Sequence, residues 1–282
     1  MLSLDRFVVP GEPKPFSDQT RVDVRAGRAT VVGDERGVAV VRDGELELVV
    51  AREERGRGLG TALVAQVLGP DGGAAPVAGS AAPSGAARVA APRLAWAHGD
   101  HPAARALAAR FGWTAVRTLL QLRAPIAPVA PDPAVPSGYT LSSFRAGDPG
   151  DEADWLALNA AAFAHHPEQG RMTLDDLRAR EADDWFSGDD LLLLRDEAGA
   201  LAGSCWLKVE GDVGEFYAVA VRPDLQGRRL GGVLMRAGTA RLTGRGLAAA
   251  ALYVEGDNAP ALALYRRSGF EQHAIDVQYA AP

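Results

Sequence analysis

The sequence predicts an α/β protein made of two tandem copies of one folding unit. LVV followed by RGRGLG in the first half matches VAV followed by QGRRLG in the second, at a spacing of 171 residues (226 − 55). Gly99-Asp100 and Gly112-Trp113 match Gly256-Asp257 and Gly269-Phe270, both at a spacing of 157 residues. Two anchors that share one spacing indicate a tandem duplication. The difference of 14 residues between the two spacings (171 − 157) is accounted for by a low-complexity insertion in the first half.

The composition is typical of a soluble globular protein. The 282 residues are 47% hydrophobic and 23% charged, which is enough for two domains with cores of their own. A net charge of −6 argues against general nucleic-acid binding. The single cysteine, Cys205, excludes an internal disulfide. Because neither a signal peptide nor an apolar run of membrane-spanning length is present, the sequence predicts a cytoplasmic protein.

Residues 1–123 form the first predicted domain. Three prolines break its opening, and PFSDQT leads into a short helix. Asp43-Gly44 is a strong signal for a tight hairpin. Residues 69–92 consist mainly of Ala, Gly, Pro and Ser, which predicts a flexible insertion. The predicted strands are 29–32, 37–41, 45–50, 93–96 and 116–122, and the predicted helices run through 63–67 and over 102–111.

Residues 124–138 contain five prolines and predict a semi-rigid linker between two domains. Residues 139–282 then repeat the strand and helix pattern as a second domain. Thr173 followed by Asp176 indicates a capping box at the start of a helix. The predicted strands are 139–144, 191–194, 201–209, 215–221, 248–254 and 275–279. The predicted helices are 151–163, 260–267 and two that begin at Thr173 and Leu230.

The segment EFYAVAVRPDLQGRRLGG, residues 215–232, predicts a strand, a basic glycine-bearing loop and the start of a helix. A helix N-terminus leaves backbone N–H groups unpaired and favours a phosphate or pyrophosphate. The loop resembles the acetyl-CoA motif of the GNAT acetyltransferases, Gln/Arg-x-x-Gly-x-Gly/Ala, at residues 226–231. The central glycine of that motif is replaced by Arg229, whereas the first half keeps it as Gly58.

Acetyl transfer from a thioester to an amine needs a base, donors for the oxyanion and an acid for the departing thiolate. Glu215 is the candidate base, and its alternative is a solvated carboxylate at a strand end. The backbone amides of Val219–Val221 are candidate donors. Tyr265 is the candidate acid, and its alternative is an aromatic residue that caps the core beside Phe270.

The repeat assigns this chemistry to the second half. A spacing of 171 puts Gly44 opposite Glu215, and a spacing of 157 puts Ala108 opposite Tyr265. The first half therefore keeps the loop but lacks both candidate proton carriers. We interpret it as a binding or structural copy.

Two further polar features have alternative interpretations. HHPEQG, residues 165–170, contains two adjacent histidines. Because no cysteine and no further histidine lies close to them in the sequence, no metal site is predicted. Glu168 in that loop is either a substrate ligand or a loop carboxylate. Lys208 is either a substrate-binding ammonium or an exposed lysine at a strand end.

The tandem halves, the proline-rich linker, AFAHHPEQG, LYVEGDN and the terminal DVQYA together resemble the mycothiol synthase family. The resemblance implies two GNAT domains, each a mixed, mostly antiparallel sheet flanked by helices. It implies a monomer that transfers acetyl from acetyl-CoA to the cysteinyl amine of desacetylmycothiol, with Glu215 as base and Tyr265 as acid. The implied substrate contacts are Asp18, Glu168, Lys208, Glu215 and Tyr253.

The same resemblance implies two acetyl-CoA sites. The implied contacts in the second half are Val219, Ala220, Val221, Gln226, Gly227, Arg228, Arg229, Leu230, Gly231, Gly232, Asn258, Ala259, Pro260, Ala261, Leu262 and Ala263. A second acetyl-CoA, bound without turnover, would contact Leu48, Val49, Val50, Arg55, Gly56, Arg57, Gly58, Leu59 and Gly60.

Two departures from the family leave alternatives open. Only residues 1–14 precede PFSDQ, where the family has a strand and a long helix, so that element is absent or the gene start lies upstream. Arg229 is expected to be tolerated within the first helical turn. The alternative functions are a GNAT enzyme for another small amine or a protein N-terminus, and a non-catalytic acyl-CoA-binding protein.

Overall fold

A computed structural model describes residues 3–10, 12–69, 91–126, 134–164 and 169–282, without the side chains of Asp18 and Glu210. Most of the predicted insertion and the middle of the predicted linker lie outside these residues. Glu168 also lies outside them. Asp18 is the first residue of a helix, and its predicted substrate contact concerns a side chain that is not described.

The chain divides into two compact units. Unit 1 comprises residues 1–120, 255–257 and 274–282, and unit 2 comprises residues 121–254 and 258–273. The C-terminal residues thus pack with unit 1, although they end the second copy in the sequence. The boundaries 1–123, 124–138 and 139–282 stay a prediction from the repeat and the prolines.

Unit 1 is a mixed sheet with helices. Its strand order is β1-β2-β3-β4-β11-β5, and only the β3/β4 pair is parallel among the registers described for it. The strands are β1 (Thr30–Asp34), β2 (Gly37–Arg42), β3 (Glu45–Val50), β4 (Leu94–His98), the first part of β5 (Thr114–Pro125) and most of β11 (Glu271–Ala280). The helices are α1 (Asp18–Arg25), α2 (Leu59–Leu68) and α3 (Pro102–Arg110).

Unit 2 repeats this arrangement. Its strand order is β5-β10-β9-β8-β7-β6, with β9/β10 parallel and β6/β7, β7/β8 and β8/β9 antiparallel. The strands are β6 (Tyr139–Ser143), β7 (Leu191–Asp196), β8 (Leu201–Glu210), β9 (Val213–Val221) and β10 (Ala249–Glu255). The helices are α4 (Pro149–Ala162), α5 (Leu174–Glu181), α6 (Leu230–Gly244) and α7 (Ala259–Arg267). The predicted elements are confirmed, with ends shifted by a few residues.

Local chemistry explains where these elements begin and how closely they pack. The predicted capping box is confirmed: the Asp176 N–H donates to the Thr173 hydroxyl, and the Thr173 N–H donates to the Asp176 carboxylate. A Cβ atom on Gly238 would lie 2.4 Å from the Phe216 ring, so the glycine lets α6 approach β9. None of the helices in the described part of the chain has the length and apolar character that crossing a membrane requires.

Candidate active site

Strand β9 separates from its parallel neighbour at a β-bulge. Trp206 on β8 pairs with Ala218 and Leu207 pairs with Phe216, so Tyr217 is an extra residue on β9. A bulge bends its strand and increases the local twist. The ladder between β9 and β10 ends at the same place, with Leu252 opposite Phe216. A split between two parallel strands therefore begins next to Tyr217.

Backbone amides of β9 point into this split. The Arg222 N–H donates to the Ala202 carbonyl of the β8 side over 2.9 Å. Since antiparallel residues alternate in direction, Ala220 also faces β8, and the N–H groups of Val219 and Val221 face the other side. The Val221 carbonyl points the same way and accepts a hydrogen bond from the Gln226 side chain at 3.4 Å. Two of the three predicted donor amides, those of Val219 and Val221, are thus directed at the split, whereas that of Ala220 is turned toward β8.

The loop after β9 leads to an uncapped helix N-terminus. Gly227 has φ +80°, Arg229 is the N-cap of α6, and α6 begins at Leu230. No side chain caps the helix at Arg229, so its first N–H groups remain open to an anion. Gly231 allows a close approach of α7, because a Cβ atom there would lie 2.9 Å from a methyl of Leu264. The Asn258 side chain caps α7 by accepting from the Ala261 N–H at 3.2 Å.

The expectation that Arg229 lies in the first helical turn is wrong. Its φ and ψ are +65° and 12°, in the left-handed region, where an L side chain is strained by about 1–2 kcal/mol. The turn that starts the helix needs this conformation, because Gly58 holds the same position before α2 with φ +82°. The motif glycine is thus replaced at a point where its conformational freedom matters.

Arg229→Gly is therefore expected to stabilise the protein. Relief of the strain, less the greater freedom of glycine in the unfolded chain, should raise the free energy of unfolding by about 0.5–1 kcal/mol. Urea unfolding measures the change. Gly58→Arg is the matched control and should destabilise unit 1, since a Cβ atom at Gly58 meets no atom within 4 Å and only the backbone is affected. If Arg229→Gly lowered the free energy of unfolding, the arginine side chain would stabilise the protein by more than its backbone strain destabilises it.

Three predicted substrate residues share one face of the unit 2 sheet. Glu215 pairs with Lys208 on β8 and with Ala251 on β10, and Tyr253 follows Ala251 by two residues. Paired residues and residues two apart point to the same face. Tyr253 is 44% exposed, and its hydroxyl accepts a hydrogen bond from the Gln121 amide at 2.7 Å. Lys208, Glu215 and Tyr253 are thus neighbours.

Two aromatic residues that the sequence analysis did not single out lie beside them. The Lys208 ammonium is 5.2 Å from the centroid of the Trp185 ring, and Trp185 lies 5.3 Å from the Tyr217 ring. Burial raises the pKa of Tyr217, and the nearby Glu215 carboxylate raises it further. No short-range pattern marks Trp185, which lies in the connection between α5 and β7 and contacts Lys208 only through the fold.

Tyr265 lies on the opposite face. It is 9% exposed and packs on Phe270 with ring centroids 6.2 Å apart, and Phe270 in turn packs on Phe216. Burial raises the pKa of Tyr265 to about 12, so the phenol keeps its proton at neutral pH. Because Phe216 and Glu215 are consecutive in a strand, their side chains point to opposite faces. The candidate base and acid are therefore on opposite faces of the unit 2 sheet. The split between β9 and β10 lies in the sheet, between these two faces.

Unit 1 also contains a short parallel ladder and a glycine-bearing loop before a helix. Its parallel β3/β4 ladder covers only Glu45↔Leu94 and Leu46↔Ala95. The Arg55 guanidinium donates to the Val50 carbonyl at 3.2 Å, as Gln226 does to Val221. A cavity of about 530 Å³ lies here. Apart from Arg57, it is lined by all the residues predicted to contact a second acetyl-CoA.

The strand registers correct one alignment of the two halves. Gly37↔Val50 on β2/β3 corresponds to Gly203↔Val221 on β8/β9, which offsets β8 from β2 by 166 residues (203 − 37). The same offset takes Arg42 to Lys208, so Arg42↔Glu45 corresponds to Lys208↔Glu215. The inner pairs Glu45↔Leu94 and Glu215↔Ala251 agree. Glu45, and not Gly44, is thus the counterpart of Glu215. The bulge at Tyr217 adds one residue to β9, which the spacing of 171 conceals.

The described residues contain no group of three or more His, Cys, Asp or Glu side chains that could hold a metal ion. Cys205 is a buried free thiol of β8, and burial raises its pKa.

Comparison with known proteins identifies the class and then the family. Residues 155–270 match the family model "Acetyltransferase (GNAT) family". A solved tandem GNAT protein from the clavulanic acid biosynthesis pathway superimposes with a TM-score of 0.67 at 20% identity, covering 99% of this chain and 93% of that one. A GCN5-related N-acetyltransferase from Sphaerobacter thermophilus gives 0.63, also at 20% identity, over 93% and 85% of the two chains. These matches and the split strands thus define the fold as that of the tandem GNAT proteins.

Relatives of similar sequence identify the family within this class. The mycothiol acetyltransferase of Clavibacter michiganensis is 48% identical over 279 residues, which is 94% of this chain and 85% of the relative. That of Kocuria rhizophila is 42% identical over 95% of this chain and 90% of the relative. The chain belongs to the mycothiol acetyltransferase family.

Proposed function

We propose that this protein transfers the acetyl group of acetyl-CoA to the cysteinyl amine of desacetylmycothiol, giving mycothiol and CoA. The observation that carries the proposal is the 48% identity to a mycothiol acetyltransferase over nearly the whole chain. We keep the cytoplasm and a monomeric state as the sequence-based expectations.

Acetyl-CoA binds in the split of unit 2 in this proposal. The open N–H groups at the start of α6 and the exposed Arg228 and Arg229 suit the pyrophosphate. The N–H groups of Val219 and Val221 suit the thioester oxygen, which becomes more negative as the amine attacks. Asn258 and the first turn of α7 flank the same end of the strands.

The acceptor amine binds on the face that holds Glu215, Lys208 and Tyr253. Glu215 takes a proton from the ammonium, directly or through water, so that nitrogen can attack the acetyl carbon. Lys208 holds a polar group of the cysteinyl-glucosaminyl-inositol, with Trp185 supporting its ammonium by a cation–π contact. Tyr265, on the other face, donates its proton toward the departing sulfur.

Unit 1 binds a second acetyl-CoA in this proposal. Its cavity, its Arg55–Val50 hydrogen bond and the left-handed Gly56 and Gly58 repeat the unit 2 loop with the glycines retained. This helix N-terminus is also uncapped by a side chain.

The function is tested with the purified protein, acetyl-CoA and desacetylmycothiol, with the N-acetyl product measured by mass spectrometry. Free cysteine, glucosaminyl-inositol and an alanine-terminated peptide serve as competing acceptors. We expect desacetylmycothiol to have the highest kcat/KM. A higher value for the peptide or another amine would favour a GNAT enzyme with a different acceptor. Acetyl-CoA binding without any product would favour a non-catalytic acyl-CoA-binding protein.

Lys208→Ala should raise the KM for desacetylmycothiol by about ten- to a hundredfold and leave the Kd for acetyl-CoA unchanged. Loss of a hydrogen bond from a charged group is worth about 1.5–3 kcal/mol. Steady-state kinetics and calorimetric titration measure the two constants. Lys14→Ala, which removes the only other lysine of the chain, is the control. Equal weakening of both ligands would assign Lys208 to the fold of unit 2.

A further inference from the structure

Residues 12–17, here called the strap, lie across the split between β3 and β4 of unit 1. The parallel ladder of these strands covers only two residue pairs near their start, so the strands separate beyond it. Both carboxylate oxygens of Glu12 accept hydrogen bonds from the Arg55 guanidinium, in the loop after β3, at 2.8 and 3.3 Å. Pro13 packs on Gly99, directly after β4, where a Cβ atom would lie 2.4 Å from the proline ring. The strap therefore contacts both edges of the split.

The far end of the strap is anchored by buried groups. Phe16 is 1% exposed and packs in a core cluster with residues of β2 and β3. The Ser17 N–H donates to the Glu47 carboxylate on β3 at 3.0 Å. His98, on β4, lies 3.8 Å from that carboxylate and 3.3 Å from the carboxylate of Asp276. Burial by itself would lower the pKa of His98, but the hydrogen bonds and charges of the two carboxylates outweigh it and raise the pKa to about 9. This end of the strap is therefore held to both strands by a cation between two anions.

The unit 1 sheet is covered by the strap on one face and by helices on the other. Leu46 of β3 packs in one core cluster with Leu63 of α2. Glu47, the next residue of the strand, points to the opposite face, where it accepts the hydrogen bond from the strap. Glu45 shares that face with Glu47 and is the counterpart of Glu215. The strap thus lies on the face that corresponds to the proposed acceptor face of unit 2.

The strap forms part of the wall of the unit 1 cavity. Glu12, Pro13 and Pro15 line the cavity together with the loop that precedes α2. The hydrogen bond from Arg55 lowers the pKa of Glu12, so this carboxylate is ionised and paired at neutral pH. The Glu12 and Arg55 side chains are each 33% exposed, whereas that of Glu47 is only 4% exposed. The Glu12 end can therefore open at a lower cost than the Ser17 end.

We propose that the strap is a gate that slows both the entry and the release of acetyl-CoA at unit 1, with the Glu12–Arg55 pair as its latch. The proposal rests on the proposed binding of a second acetyl-CoA in the unit 1 cavity. Acetyl-CoA passes when the latch opens, and the Ser17–Glu47 hydrogen bond keeps the strap in place for closing. Because the strap covers the face on which unit 2 is proposed to bind its acceptor, the gate agrees with binding at unit 1 without turnover.

The latch depends on a difference between the two loops. Gln226 donates to the Val221 carbonyl in unit 2, and Arg55 donates to the Val50 carbonyl in unit 1. Arginine has further N–H groups that can bind a carboxylate through two hydrogen bonds, and glutamine does not. Arg55→Gln should therefore keep the contact to the strand end and release Glu12.

The test measures the rate constants of acetyl-CoA binding and release in the full chain by stopped-flow fluorescence, since Trp96 lines the cavity. The kinetic phase that Gly58→Arg removes belongs to unit 1. Glu12→Gln should raise both rate constants of that phase by about two- to fivefold, as loss of a partly exposed ion pair allows. Arg55→Gln should do the same, and combining the two changes should add little, because each opens the same latch. Glu53→Gln, at an exposed carboxylate of the same loop, is the matched control and should not raise the release rate.

The direction of the change in release rate separates a gate from a simple charge effect. If Glu12 acted only by its charge, its neutralisation would favour the anionic phosphates of acetyl-CoA, so that binding became faster and release slower. Slower or unchanged release in Glu12→Gln, or equally faster release in Glu53→Gln, would therefore overturn the gate and leave the second acetyl-CoA intact. Absence of any phase that Gly58→Arg removes would refute the second acetyl-CoA, and the gate with it.

Discussion

Glu215→Gln is expected to lower kcat for desacetylmycothiol by about two to four orders of magnitude, the usual contribution of a general base. Glutamine has nearly the same shape and keeps a side-chain oxygen, but it cannot accept the ammonium proton. Glu215 pairs with Lys208 and Ala251 at the level where β9 and β10 still form a ladder, so the strand should hold the glutamine in place. Steady-state and single-turnover kinetics measure the loss.

The control is Asp212→Asn, at an exposed carboxylate on the turn between β8 and β9. It removes the same charge from the same hairpin and should leave kcat unchanged. Acetyl-CoA affinity should be unchanged in both variants. A wild-type rate in Glu215→Gln would exclude Glu215 as the base and direct attention to Tyr217, whose phenol lies near it.

Tyr265→Phe is expected to lower kcat by about a hundredfold, the low end of the range for acid–base catalysis. The reason for the low end is the mismatch between the pKa of Tyr265, raised to about 12 by burial, and that of an ordinary thiol, about 8.5. The phenol holds its proton too tightly to transfer it fully to a stable thiolate. It stabilises the sulfur best while charge is still developing on it.

The same pKa predicts a pH profile. Because the pKa of Tyr265 is raised, the phenol stays protonated as the pH rises, and its ionisation should cause no fall in kcat between about pH 8 and 10. Tyr139→Phe is the control for loss of a phenol in unit 2. The ring contacts of Tyr265 with Phe270 survive the change to phenylalanine, so acetyl-CoA binding should persist. A decline of wild-type kcat near pH 10 that disappears in Tyr265→Phe would contradict the buried, high-pKa phenol.

Much of this architecture was predictable because it is encoded by short-range patterns. Alternating apolar residues, Asp43-Gly44, the capping box at Thr173 and the spacing of Leu230, Val233 and Leu234 each specify an element within a few residues. The repeat predicted two copies of one unit, and the GNAT loop predicted which strand ends and helix start lie together. These inferences needed no knowledge of which strands pair.

Where a prediction depended on pairing or on backbone angles, tertiary structure decided. Glu45 became the counterpart of Glu215 only when the strand registers revealed the bulge at Tyr217, because one inserted residue changes a spacing without changing any local pattern. The conformation of Arg229 is imposed by the turn before α6 and opposes the preference of its own side chain.

Sequence patterns were enough to predict the duplicated α/β unit, the order of its strands and helices, and the loops that precede α2 and α6. The folded structure was needed to find that residues 274–282 pack with unit 1, that Trp185 contacts Lys208, and that His98 lies between Asp276 and Glu47. Each of these joins residues far apart in the chain. Contacts of that kind follow from strand pairing and packing, which no window of neighbouring residues encodes.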